Sequence, residues 1–153
     1  MARRMTTTLT VGATALVLVS CLSGAVASAS VATKPMSEKQ WRKTVNNICT
    51  QSATLLRDAG AVAFAGVPKD GQPSLEKMTA FVTAIEPTIQ QQIDSIKALK
   101  EPVKLKAKVK ALLKTAQGEL DAVVADPSRG LEGNPFTASD LASKKLKLKA
   151  CAS

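Results

Sequence analysis

"PVKLKAKVKALLKTAQGELDAVV", residues 102–124, decides between strand and helix for this chain. Its first part alternates as a strand would: Lys104, Lys106, Lys108 and Lys110 interleave with Val103, Leu105, Ala107 and Val109. A period of two would put the lysines on one face of a sheet. The remainder does not alternate. At about 100° per residue, Leu105, Val109, Leu112, Ala116, Leu120 and Val123 fall within a sector of roughly 80°. Lys104, Lys106, Lys108, Lys110 and Lys114 all fall outside it, and Val103 and Ala107 are apolar exceptions on the outer side. A strand would leave 111–124 without a reason. The spacing therefore predicts a helix over about 102–125, with the alternation a local coincidence.

The same period governs the segments upstream. Ser37 and Gln40 form a capping-box pattern. After it, Trp41, Val45, Ile48, Ser52, Leu55, Ala59 and Val62 recur at steps of three and four, a helical stripe with Cys49 at its edge. The loop "GVPKDGQP", 66–73, ends this helix. A second helix follows from Ser74, with Leu75, Met78, Val82, Ile85, Ile89, Ile93, Ile96 and Leu99 as its apolar face. Pro87 lies inside the pattern and predicts a kink or short break around Ala84 to Pro87, because proline lacks a backbone donor and crowds the preceding turn. Pro102 closes the second helix and opens the third.

After a loop at 125–135, Thr137 and Asp140 offer another capping box. A short last helix is expected to about Leu146, burying Ala138, Leu141 and Ala142 or the Lys145 methylenes. Beyond it the helical period fails, and 146–151 is expected to carry Cys151 back to Cys49. The fold class predicted is all-α: an up-and-down bundle of about four helices, the second kinked at Pro87, closed by one disulfide.

Composition agrees. Aromatic residues make up 3% of the 153-residue chain and hydrophobic residues 45%, a balance that favours helices over a β-sandwich and gives one modest core. The chain has no His and no Tyr. The commonest general base and the commonest zinc ligand are therefore missing. The carboxylates are scattered and lack calcium-loop spacing, so no metal and no cofactor is expected.

Arg3 and Arg4 followed by an apolar run from about Leu9 to Leu22 read as an export signal, too short for an ordinary membrane span. Two processing sites compete. "AVASAS" permits cleavage before Ser30, leaving 1–29 as signal peptide. "LVSC", 18–21, resembles a lipobox, which would remove 1–20 and leave Cys21 lipidated. A tether then runs to residue 36, and 37–153 forms a single helical-bundle domain. Either cut leaves Cys49 and Cys151 alone in an oxidising compartment, where a disulfide is their expected fate. A reactive thiol would need an activating base that the composition lacks.

A helix with one early Cys, "IKALKEP" at the end of the second helix, and the terminal "KKLKLKAC" together resemble small exported actinobacterial helical-bundle proteins of unknown function. In that group the second helix often ends in a leucine-rich turn before proline. The last helix often ends Leu-Gly-Leu, shortly before a Cys that pairs with the first helix. Leu146, Leu148 and Cys151 match those positions, while Lys147 stands where the pattern has Gly. The resemblance implies the bundle and the Cys49–Cys151 pairing, and it carries over no catalytic residue.

Charge is the remaining signal. From 97 to 149 there are 12 Lys or Arg against 6 Asp or Glu, whereas 34 to 96 holds 7 against 6. Lys104, Lys106, Lys108, Lys110 and Lys114 therefore form a candidate patch for an anionic partner: an envelope polymer, a lipid headgroup or an acidic protein. The alternative is a solvated face whose lysine stems cover the edge of the core. Nucleic acid is not expected, since no stacking aromatics are interleaved with the lysines. Membrane contact is expected only through lipid on Cys21. The function expected is an exported, non-enzymatic interaction module, secreted or lipid-anchored outside the cytoplasmic membrane. The second reading is a carrier of an apolar ligand between the helices, lined by Ile85, Ile89 and Leu112. A hydrolase built on Glu119 and Asp121 is disfavoured, because the two project to different faces.

Overall fold

The computed structural model describes residues 36–152. The segments expected to be the export signal, its two alternative cleavage sites, Cys21 and the tether up to residue 35 lie outside them. The described chain is a helical bundle of three long helices, α1 (Glu38–Ala63), α2 (Leu75–Ala98) and α3 (Lys106–Ala125), with a single turn α4 (Arg129–Glu132) and a shorter α5 (Thr137–Lys145). Among the described residues, no helix is long and apolar enough to cross a membrane.

The Ser37 capping box forms: Ser37 Oγ accepts from the Gln40 backbone N–H at 3.3 Å, and Gln40 Oε1 accepts from the Ser37 N–H at 3.4 Å. From there α1 buries Trp41, Val45, Cys49 and Ser52, with Leu56 and Ala59 half-buried beyond. This corrects the expected stripe. Leu55 and Val62 are 54% and 78% exposed, and Cys49 sits in the centre of the buried face. Steps of three and four allow either Leu55 or Leu56 to continue the stripe, and packing against α2 selects Leu56.

Helix α2 starts at the Ser74 cap and buries Met78, Val82, Ile85, Ile89, Ile93 and Ile96, as the periodicity predicts; Leu75 is exposed instead. The helix runs uninterrupted through Pro87, so the expected break between Ala84 and Pro87 does not occur. Pro87 and Thr83 are both exposed, so the Thr83 carbonyl that loses its helical donor faces solvent rather than core.

Pro102 opens a 3₁₀ turn, Val103–Leu105, that leads into α3. Leu105, Val109, Leu112, Leu120 and Val123 are buried and Ala116 is half-buried, while Val103 and Ala107 point outward. The helical reading of the opening stretch holds residue by residue.

The core has two parts. One joins Trp41, Val45 and Cys49 of α1 with Ile96, Leu105, Val109, Leu112, Leu146 and Leu148. The other joins Met78, Val82, Ile85, Ile89 and Ile93 with Leu120 and Val123, flanked by Leu56, Phe64 and Phe136. Trp41 is fully buried, and its indole N–H has no acceptor among the described residues. Gly130 in α4 lies so close to α2 that a Cβ there would stand 2.6 Å from Met78 Sδ. A larger residue there would require the Met78 side chain to move.

Two helix ends are capped from other helices. Lys77 of α2 donates from Nζ to the Ala65 and Ala63 carbonyls at 2.6 and 3.4 Å, closing the end of α1, whose last turn has no basic residue of its own. Glu119 of α3 accepts from the Ala138 and Ser139 backbone N–H groups at 2.8 and 3.1 Å, capping α5. Glu119 displaces the expected Thr137–Asp140 box: Thr137 Oγ1 donates instead to the Asn134 carbonyl, and Asp140 accepts from Asn134 Nδ2. The buried face of α5 is correspondingly polar, with Ser139, Asp140 and Ser143 inside, whereas Ala138 and Leu141 are exposed. Of the expected apolar face, Ala142 is half-buried against the core, whereas Ala138, Leu141 and Lys145 face outward.

The exit from α5 supplies the closure. Leu148 N–H bonds to the Ser143 carbonyl and Lys147 N–H to that of Lys144, the paired bonds of a Schellman end, with Lys147 in the left-handed region at φ 60°. A 3₁₀ turn then brings Cys151 into a disulfide with Cys49, as predicted, across a Cα separation of 5.1 Å. Arg42 Nε donates to the Leu146 carbonyl at 3.0 Å and Ala150 N–H donates to Asn46 Oδ1 at 2.8 Å, so three successive turns of α1 hold the terminal strap.

Candidate functional site

The structure divides the predicted lysine patch. All five lysines are exposed, but they flank α3 on two sides. Lys106, Lys110 and Lys114 follow one another at every fourth residue and line a groove between α2 and α3. Lys104 and Lys108 do not line it. A fourth cation, Lys97 of α2, faces the same groove from the opposite wall. Sequence reasoning missed Lys97 because it was sought within one helix; its position just ahead of Pro102, where the chain turns back, was the available signal.

The groove encloses about 440 Å³ and is floored by Ile93 and Ile96 of α2 and Val109 and Leu113 of α3. These residues belong to the faces that also build the core, so the floor is an opening onto the seam between two helices. One end is shut by a reciprocal amide pair. Gln117 Nε2 donates to Gln90 Oε1 at 2.9 Å, and Gln90 Nε2 donates to Gln117 Oε1 at 3.2 Å. Asp94 and Asp121 fix the two amides by accepting from Gln90 and Gln117 respectively.

The ion pairs among the described residues are Arg42–Glu38 at 3.0 Å and Arg129–Asp126 at 3.9 Å. Neither involves a groove lysine. Asp94 and Glu101 also border the groove, leaving an excess of two positive charges around it. Like-charge neighbours four apart on α3 each cost about 0.2–0.5 kcal/mol of helix stability. The arrangement holds four ammonium groups over an apolar trough with two carboxylates on its border, none of the four in an ion pair among the described residues.

Other candidates are already engaged in the fold. Glu119 caps α5 and Asp121 accepts from Gln117, so the carboxylates considered for hydrolysis serve structural bonds. Ile85 and Leu112 are buried in separate parts of the core, and Ile89 borders a smaller cavity of about 250 Å³ beside the disulfide. No group of three or more potential metal ligands occurs among the described residues.

These features define a small, disulfide-closed helical bundle with a basic interhelical groove. Comparison with protein-family models, with curated proteins and with solved structures finds no match for the chain.

Proposed function

We propose that this protein is an exported, non-enzymatic interaction module, secreted or lipid-anchored through Cys21, that uses the Lys106–Lys110–Lys114 face to hold an anionic partner at the cell envelope. The observation that carries the proposal is the convergence of Lys97 with those three lysines on one groove, none of them in an ion pair among the described residues. Their charges act on whatever approaches from solvent. The N-terminal signal pattern and the resemblance to exported actinobacterial proteins support the location. The alternating membership of the two core clusters, the start of α1 with the end of α2 and the start of α3, supports the up-and-down order. A bend at Pro87 belongs to the same reading.

The test is binding of inorganic polyphosphate to the mature chain by calorimetry at rising salt. Affinity should fall with ionic strength, because screening shortens the reach of exposed charges. It should be lost when Lys106, Lys110 and Lys114 are replaced together by Gln. Full-strength binding by that variant would overturn the proposal.

A further inference from the structure

The groove combines two chemistries that a polyanion does not need together. A flat lysine surface suffices for a polymer or a bilayer headgroup; here the lysines rim a trough whose floor is aliphatic. Resting on the anion-binding reading above, we infer that the α2–α3 groove is a binding site for a single-chain amphiphile, an unbranched acyl chain with one anionic carboxylate head.

Its dimensions suit one chain. At a rise of 1.5 Å per residue the α3 wall from Lys106 to Gln117 is about 16 Å long. The volume lies within the roughly 300–1,000 Å³ of ordinary small-molecule sites. Polar groups border both ends: Gln90, Asp94, Lys114 and Gln117 at the shut end, and Lys97, Lys106, Lys110 and the single carboxylate of Glu101 toward the Pro102 turn. At the shut end the Gln90 and Gln117 amides satisfy each other and the two aspartates, so they offer little to an entering head group. Lys106, Lys110 and Lys97 stand further along, nearer the Pro102 turn. A carboxylate would settle between those lysines, with its chain over Ile93, Ile96, Val109 and Leu113 and its methyl end toward the amide pair. Lysine suits the rim physically: its stem extends the apolar wall while its ammonium remains in water. The complementary charge distinguishes this ligand from a neutral lipid, and the narrow floor distinguishes it from a whole bilayer surface.

The probe is laurate below its micellar concentration, titrated into the oxidised mature chain, with acetate and dodecyl maltoside as controls for head and chain alone. One equivalent should bind with a negative heat-capacity change, the mark of apolar burial. Leu113→Asn should weaken laurate by about tenfold or more, since it removes aliphatic floor. It should leave polyphosphate binding intact, and its fold is checked by thermal unfolding. The Lys106, Lys110 and Lys114 to Gln variant changes only exposed side chains and should lose both ligands. Laurate binding no tighter than acetate or dodecyl maltoside would overturn the inference, as would binding insensitive to both variants. Capture of anionic vesicles without binding of free laurate would also overturn it and point to a surface site. In each of those cases polyphosphate binding that still depends on the lysines leaves the proposed function standing, and its loss removes both.

Discussion

Lys147 is the residue on which the closure of the bundle turns. It is exposed, with φ 60°, between Leu146 and Leu148, which are 3% and 0% exposed. Burying both leucines requires the chain to reverse there, and the left-handed conformation does so while satisfying the Ser143 and Lys144 carbonyls. A side chain with a Cβ is strained in that region by about 1–2 kcal/mol, which glycine escapes. Introducing glycine also loosens the unfolded chain, an opposing cost of about 0.4–1 kcal/mol. The difference predicts that Lys147→Gly stabilises the protein by about 0.5–1 kcal/mol, a rise in Tm of about 2–4 °C for a domain of this size. Lys147→Asn should fall between Gly and Lys. Lys147→Val should lose a further 1 kcal/mol or so, because a β-branched residue is strained most where φ is positive. Urea unfolding of the four proteins with the disulfide intact measures the series directly. A valine variant as stable as the parent, or a destabilised glycine variant, would show that the chain does not leave α5 through a left-handed residue.

Three further outcomes follow from other contacts. Reduction, or Cys49→Ala with Cys151→Ala, removes a cross-link spanning 102 residues and should cost about 4–5 kcal/mol in the chain-entropy account, read from urea unfolding with the slope, which rises as the unfolded chain expands, fitted for each protein. Glu119→Ala leaves the first N–H groups of α5 without their carboxylate and should cost about 1–2 kcal/mol, with Glu119→Gln retaining part of it. Asp126 accepts hydrogen bonds from the Ser128 hydroxyl and backbone N–H; chiefly the hydroxyl bond, with the backbone bond and Arg129 adding to it, holds its carboxyl below the ordinary value of 3.8. A depressed pKa gives stability that is present above the unfolded value and lost as pH falls through the folded one, so Ser128→Ala should be slightly less stable than the parent at neutral pH, with the difference fading in acid as Asp126 is protonated in both.

The long helices were legible because their signal is local and repeated. The buried positions of α3 follow from angular spacing alone, and the six buried residues of α2 emerge in the same way despite Pro87. Errors arose where a residue's environment is set by a distant partner. Leu55 and Leu56 are equivalent by periodicity until α2 packs against one side. Helix α5 is only nine residues long, too short for its period to specify a face, and it is capped by Glu119, 19 positions upstream of Ala138. Likewise Lys77, not a residue of α1, ends α1. The lysine patch was legible as charge but not as a site, since its two flanks and the contribution of Lys97 exist only once α2 and α3 are side by side.

The interactions that hold the fold and the lysines offered for binding are separate. Closure depends on Arg42, Asn46, Cys49, Lys147 and Cys151 at the seam between α1 and the terminal strap. Interhelical capping depends on Lys77 and Glu119. Lys97, Lys106, Lys110 and Lys114 enter no ion pair and no hydrogen bond among the described residues, and three of them repel one another along one helix edge. Neutralising them therefore removes repulsion of a few tenths of a kcal/mol per pair and no stabilising contact. A loss of anion binding in the glutamine variant would then report on the groove itself, because the scaffold beneath it is expected to be at least as stable as before.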